Sequence, residues 1–212
     1  MNSNRKNIFI LAPHTDDGEL GCGGTISKKI NQGFNIIYIA FSSCKESLAE
    51  NLAINTLKVE AQNALSKLGV SKENFICLDF PVRKFHKYRQ EILEKIIELD
   101  NIYKPNYIYL PSKFDTHQDH HVIRNEGFRA FKKSTIYGYE LPWNNIKFST
   151  DVFSVLSDTD IKNKIDSLNC YKSQKGKVYF EKDYILSLAK VRGTQIGVEY
   201  AETLELIRFV EY

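Results

Sequence analysis

Short, continuous apolar runs alternate along this chain with longer segments in which apolar residues recur at helical spacing. Asn7–Ala12 (NIFILA), Asn35–Phe41 (NIIYIAF), Phe75–Leu78 and Asn106–Leu110 (NYIYL) have the length of strands. Between them, Asp17–Asn31 and Tyr88–Tyr103 read as helices. Glu46–Leu68 repeats Ala49, Ala53, Leu57, Ala64, Leu65 and Leu68 before Gly69 stops it. Strands that are apolar throughout need cover on both faces, as in a parallel sheet with crossover helices. The order β-α-β-α-β-α-β therefore predicts an α/β fold: a Rossmann-like, mostly parallel sheet with helices on both faces. Beyond Gly138 the pattern loosens into strands at Ile136–Glu140, Asp151–Leu156 and Leu204–Val210, and helices near Thr159–Cys170 and Asp183–Val191. No repeat, low-complexity tract or linker interrupts the chain, so residues 1–212 read as one domain with an elaborated C-terminal third.

In such sheets ligands gather outside the carboxyl ends of the strands. Two of those ends carry most of the candidate chemistry. Pro13-His14-Thr15-Asp16-Asp17-Gly18-Glu19 follows the first strand, and Pro111 to His121, containing Asp115, His117, Gln118, Asp119 and His120, follows the fourth. Four of the five histidines lie in these two loops. His14 and Asp17 are three apart, as are His117 and His120, so each pair can project from one side of a turn. A histidine and a carboxylate from one loop with a histidine from the other supply three ligands and leave one position open, the arrangement catalytic zinc requires. Asp16 then stands beside the metal without binding it. One histidine near a strand end is more often a hydrogen-bonded structural residue, whereas two such clusters on separate strands point to a site. The glycines Gly21, Gly23 and Gly24 do not follow the G-x-G-x-x-G spacing, and acidic residues precede them, so close packing of the first helix or room for substrate explains them better than a dinucleotide phosphate.

Charge narrows the partners. Twenty-nine basic against 26 acidic side chains leave a net +3, without the clustered excess of a nucleic-acid binder. Arg83, Lys84, Lys87 and Arg89 form a local basic group that reads as a solvated loop. The start, Met1 to Asn7, is polar, and the apolar run after it is too short for a signal core or a membrane span. With four scattered cysteines and no C-x-x-C pair, a cytoplasmic, reducing location is expected.

His14-Thr15-Asp16-Asp17-Gly18-Glu19 resembles the A-H-P-D-D-E signature of the PIG-L/LmbE-like zinc deacetylases, and His117-Gln118-Asp119-His120 resembles their second motif, H-P-D-H. Tyr171-Lys172-Ser173-Gln174, Arg192-Gly193 and Tyr200-Ala201-Glu202 extend the resemblance over nearly the whole chain. It implies a metal-dependent hydrolase that removes acetyl from an N-acetylated sugar on a Rossmann-like fold. The implied metal ligands are His14, Asp17 and His120, holding Zn²⁺ or another divalent transition metal. Asp16 is implied as general base, His117 as the oxyanion donor in protonated form, and Asp119 as the residue that orients His117. Thr15 and Gln118 replace the two motif prolines, Gly18 is inserted before Glu19, and Leu57 stands where relatives often carry a substrate-binding Arg, with Lys58 beside it. Glu19, Trp143, Gln174 and Arg192 are the expected substrate contacts, Glu140 and Tyr171 are further candidates, and Glu202 is expected near the site. The expected partner is a small N-acetylated sugar, a nucleotide sugar or a glycan intermediate. A homo-oligomer is compatible with the sequence. Two rivals share the ligand set: a non-haem iron enzyme, for which Asp16 has no use, and a non-catalytic sugar-binding module, which needs neither Asp16 nor His117.

Overall fold

The computed structural model describes residues 6–211, so the polar start lies outside the described residues except for Lys6 and Asn7. The elements run β1 (Asn7–Ala12), α1 (Asp17–Asn31), β2 (Asn35–Ala40), α2 (Thr56–Leu68), β3 (Phe75–Cys77), α3 (Arg89–Tyr103), β4 (Tyr107–Pro111), α4 (Gln118–Ala130), β5 (Thr135–Tyr139), β6 (Val152–Val155), α5 (Asp158–Leu168), α6 (Lys182–Thr194) and β7 (Ala201–Arg208). They form one seven-stranded sheet in the order β3-β2-β1-β4-β5-β7-β6. The first five strands in that order are parallel, β7 runs antiparallel to β5, and β6 runs antiparallel to β7. The expected α/β architecture is present.

The uninterrupted apolar strands follow from burial on both faces. Ile8, Ile10 and Ala12 of β1 pack with Tyr38 of β2 under α1 and α2, while the alternate residues Phe9 and Leu11 pack with Ile37 and Ile39 under α3 and α4. The chain winds outward from β1 to β3 and then returns to β4 on the other side of β1. The strand order therefore reverses between β1 and β4, and the two histidine loops leave the sheet side by side at that switch point.

Two expectations on elements need correction. The helix expected from Glu46 begins only at Thr56, after a short 3₁₀ turn at Lys45–Ser47. Residues 48–55 have helical spacing but no sheet face to cover, and Ile54 is 71% exposed. The last strand is shifted toward the N-terminus, ending at Arg208, because residues 201–204 pair with β6 before residues 204–208 pair with β5. No helix of the described residues is long and apolar enough to cross a membrane.

Helix α1 is broken at Cys22, whose φ and ψ of −145° and 28° are not helical. The groups freed by the break are met from the C-terminal third. Lys164 of α5 donates Nζ to the Leu20 carbonyl at 2.7 Å, and Glu202 of β7 accepts from the Gly24 and Thr25 amides at 3.0 and 2.7 Å. The two side chains, 6% and 7% exposed, pair with each other at 2.6 Å. Gly21 and Gly24 are required by contact: a Cβ on Gly21 would lie 2.4 Å from the Tyr139 ring, and one on Gly24 would lie 2.5 Å from Leu156. Gly21 and Gly24 serve close packing, one of the two explanations the sequence left open.

Candidate active site

The β1–α1 loop turns back on itself because the His14 amide donates to Asp17 Oδ2 at 2.8 Å. That oxygen is also 3.1 Å from His14 Nδ1 and 3.2 Å from His120 Nε2, and the two ring nitrogens are 3.3 Å apart. Three donor atoms thus form a nearly equilateral triangle. Tetrahedral ligands at about 2.0–2.1 Å from zinc stand about 3.3–3.4 Å from one another, so the triangle has the dimensions of one face of a tetrahedral site. His117 brings a ring nitrogen near the same point: one nitrogen from each of His14, His117 and His120 lies within 4.8 Å of the others.

Each of the two histidines in the triangle has a carboxylate behind it. His14 Nε2 lies 3.2 Å from Asp119 Oδ2, and His120 Nδ1 lies 2.7 Å from Asp115 Oδ2. An ionised carboxylate only accepts, so these outer nitrogens carry the protons and the inner ones present lone pairs. With both imidazoles neutral, two lone pairs and the Asp17 carboxylate converge on one point, which protons on the inner nitrogens otherwise fill. Such a set calls for a cation, and the residues fit a divalent metal.

Without a metal, protons supply that positive charge, and both imidazoles titrate high enough to be cationic at neutral pH. Burial opposes charge on His14, yet the Asp17 charge and the bonds to Asp119 and Asp17 outweigh it and push the imidazole up to about 9. His120 is likewise pushed up to about 10, against burial, by Asp17 and Asp115. Burial alone would raise Asp17, but the His120 and His14 charges hold it well below the usual carboxylate range. Asp16 is different: burial first, and then the Asp17 charge, raise it to about 6 against the pull of His14 and Lys177.

His117 is the N-cap of α4, its Nδ1 accepting from the Asp119 amide at 3.2 Å. That bond fixes the neutral tautomer with hydrogen on Nε2. Burial, and then the His120 and His14 charges, lower this imidazole to about 4. One expectation changes: the Asp119 carboxylate lies on His14 Nε2 rather than on His117, whose Nδ1 meets the Asp119 amide. That N-cap bond favours a neutral His117 with Nε2–H free to donate, where the resemblance implied an imidazolium. Asp119 also accepts from the Arg83 and Phe85 amides at 2.6 and 3.3 Å, which ties the loop after β3 to the site. Asp115 is the residue that sequence reasoning missed. It holds His120 and accepts the His117 amide at 2.8 Å, and its place two residues before a helix cap in a histidine-rich loop was the available signal. His121 faces the Asp115 carbonyl, outside the triangle.

A cavity of about 350 Å³ opens over the triangle and exposes Asp16 and His117. Trp143 and Gln174 line it as expected, Trp143 stacking on Tyr179 with ring centroids 4.1 Å apart. Glu19 and Arg192 do not line it. Glu19 is fully buried beneath the loop, bonded to the Tyr38 and Tyr171 hydroxyls. Arg192 forms a two-pronged pair with Glu140 in a neighbouring crevice behind Trp143. Glu202 holds the break in α1, and Lys58 is absent from the cavity lining. Arg83 and Lys177 are wall residues that were not foreseen.

The chain is similar to known deacetylases. Residues 9–131 match the profile of the PIG-L family, described as GlcNAc-PI de-N-acetylase. An uncharacterized deacetylase of Escherichia coli K12, YaiS, is 27% identical over 175 residues, covering 80% of this chain and 92% of that protein. The diacetylchitobiose deacetylase of Thermococcus kodakarensis is 26% identical over 139 residues, 63% of this chain and 51% of that protein. Among solved structures, the A40926 pseudoaglycone deacetylase Dbv21 superposes with a TM-score of 0.80 at 16% identity, covering 99% of this chain and 100% of that one.

Proposed function

The chain belongs to the PIG-L family of de-N-acetylases, and from that premise we propose that it removes the acetyl group from an N-acetylated sugar or sugar conjugate at a divalent-metal centre held by His14, Asp17 and His120. The observation that carries the metal is the triangle of inward-facing acceptors, each imidazole fixed by a carboxylate at its far nitrogen. Zinc in such a set acts as a Lewis acid that acidifies water and polarises a carbonyl.

The chain's own residues supply the rest. Asp16 lies in the cavity beside the triangle, and with its carboxyl raised to about 6 it is ionised at neutral pH yet basic enough to take a proton from the attacking water. His117 donates Nε2–H to the oxygen of the acetamide carbonyl as negative charge develops there. A neutral imidazole held at a helix N-terminus can do this without itself being ionised. The leaving amine needs a proton. Neutral His117 is too weak an acid to give one, so Asp16 returns the proton it took. Asp119 and Asp115 keep the two ligand imidazoles in the metal-binding tautomer.

The test is release of acetate and free amine from N-acetylglucosamine conjugates by zinc-loaded protein, with and without chelator. Asp16→Asn should lower kcat by about 10²–10⁴ with the metal retained. His120→Ala should lose the metal. Wild-type turnover by metal-loaded Asp16→Asn removes the base assignment, and undiminished metal binding by His120→Ala removes the ligand set.

A further inference from the structure

Arg83 sits in the loop between β3 and α3 with φ of 64°, a left-handed conformation that disfavours any residue with a Cβ. A strained backbone persists only where its surroundings hold it. Two bonds hold Arg83. Its amide donates to Asp119 Oδ2 at 2.6 Å, and its carbonyl accepts from Gln118 Nε2 at 3.0 Å. Both partners are adjacent residues in the first turn of α4. Two positions further along the loop, the Phe85 amide donates to Asp119 Oδ1 at 3.3 Å, and the buried Phe85 ring lies 6.1 Å from the His14 ring, centre to centre.

The left-handed turn brings two amides onto a carboxylate that is fully buried and lies 3.2 Å from His14 Nε2. Those amides replace the water that Asp119 has lost, and they select the one orientation in which Oδ2 faces both the Arg83 N–H and His14. Were Arg83 to relax to an ordinary extended or right-handed conformation, its amide would turn away and Asp119 could rotate off the imidazole. The Gln118 side chain opposes that relaxation from the other side of the same residue. Gln118 itself is exposed and outside the cavity lining.

We infer that Gln118 is a positioning residue: by latching the Arg83 carbonyl it holds the β3–α3 loop in the turn that fixes Asp119 on His14, and it thereby raises the affinity of the centre for its metal. This rests on the metal reading of His14, Asp17 and His120.

The experiment reads zinc affinity by chelator competition and the ligand-field spectrum of the Co²⁺-loaded protein, neither of which depends on turnover. Gln118→Pro removes the donor and suits the local backbone. Residue 118 opens α4, where proline is favoured, and His117 before it has ψ of 128°, the extended value proline asks of its predecessor. Gln118→Met removes the same donor at similar size without a backbone change. Either variant should bind zinc about five- to tenfold more weakly, less than the ~10–100-fold typical of deleting a ligand's own hydrogen-bonded partner, and should alter the Co²⁺ spectrum. Arg83→Gly should rescue both, because glycine keeps the left-handed turn without a latch, and each double variant should return to within about twofold of the wild type. A merely structural Gln118 would shift unfolding and leave zinc affinity and the Co²⁺ spectrum where they were. That result, or a loss that Arg83→Gly does not restore, overturns the proposal. Zinc binding that His120→Ala does not weaken would sink the metal reading and this inference together, whereas a His120-dependent site indifferent to Gln118 would sink this inference alone.

Discussion

The five parallel strands and the antiparallel edge made by β7 and β6, with α5 and α6, divide the labour unequally. Every group proposed to touch metal, water or carbonyl comes from the loops after β1 and β4. The C-terminal part supports those loops from behind and adds Gln174, Lys177 and Tyr179 to the cavity wall. Tyr171 donates to the Thr15 carbonyl or to Glu19, both 2.7 Å away, and Lys164 and Glu202 close the break in α1. The short helical segment from Asp17 to Gly21 carries a proposed metal ligand and is too short to hold its own shape. Chemistry is encoded in the first part of the chain, and the geometry it needs is supplied by the last.

Breaking the Lys164–Glu202 pair is the strongest way to test that division. Glu202→Ala should destabilise the fold by about 3–5 kcal/mol, because it strands a buried ammonium and two helix amides. Lys164→Met should cost less, since Glu202 keeps its bonds to Gly24 and Thr25. The double variant should cost less than the sum of the two singles. Denaturant unfolding measures all three. If Glu202→Ala stays within about 1 kcal/mol of the wild type, the C-terminal part is an addition and not a support.

The same contrast explains what could be read beforehand. The parallel strands were legible because double-sided burial leaves unbroken runs such as NIIYIA, and the two motifs were legible because the proposed ligands and base are neighbours in sequence. Lys164 and Glu202 were not. A lysine within KNKIDS looks like the solvated side of a helix, and nothing local shows that residue 164 meets residues 20 and 202. Arg192 was misplaced for a related reason: its partner, Glu140, lies 52 positions away. Asp119 was assigned to the histidine two residues off, whereas its carboxylate reaches across to the other loop.

A smaller effect separates packing from chemistry within α1. Gly21→Ala drives a Cβ into the ring of Tyr139, which is fully buried and has its hydroxyl on the Leu11 carbonyl at 3.1 Å. The ring has little room to yield, so a loss of about 1–3 kcal/mol is expected. Thermal unfolding with and without zinc reads it. A loss of the same size in both would place the effect in packing, and a loss confined to the zinc-loaded protein would place it in the metal loop.

The most discriminating effect depends on pH, and it concerns a motif residue that sequence placed beside the substrate and the fold places beneath the loop. The Tyr38 and Tyr171 hydroxyls both lie on Glu19 and both lie near the Thr15 carbonyl, at 3.1 and 2.7 Å. Two phenols own two hydrogens for four contacts, so a protonated Glu19 satisfies one contact more than an ionised one. Burial raises the Glu19 carboxyl to about 8 against the pull of those hydrogen bonds. A carboxyl that titrates higher folded than unfolded makes stability fall as pH rises from its ordinary value of 4.5 through about 8. Glutamine reproduces the neutral donor–acceptor pattern and does not titrate. Glu19→Gln should therefore be nearly neutral at pH 5 and gain on the wild type by about 1 kcal/mol per pH unit above that, until about pH 8. Unfolding of metal-free protein across this range measures the difference. A flat difference, or a variant that loses ground as pH rises, would mean that Glu19 is ionised and that the C-terminal Tyr171 holds the loop through a charge.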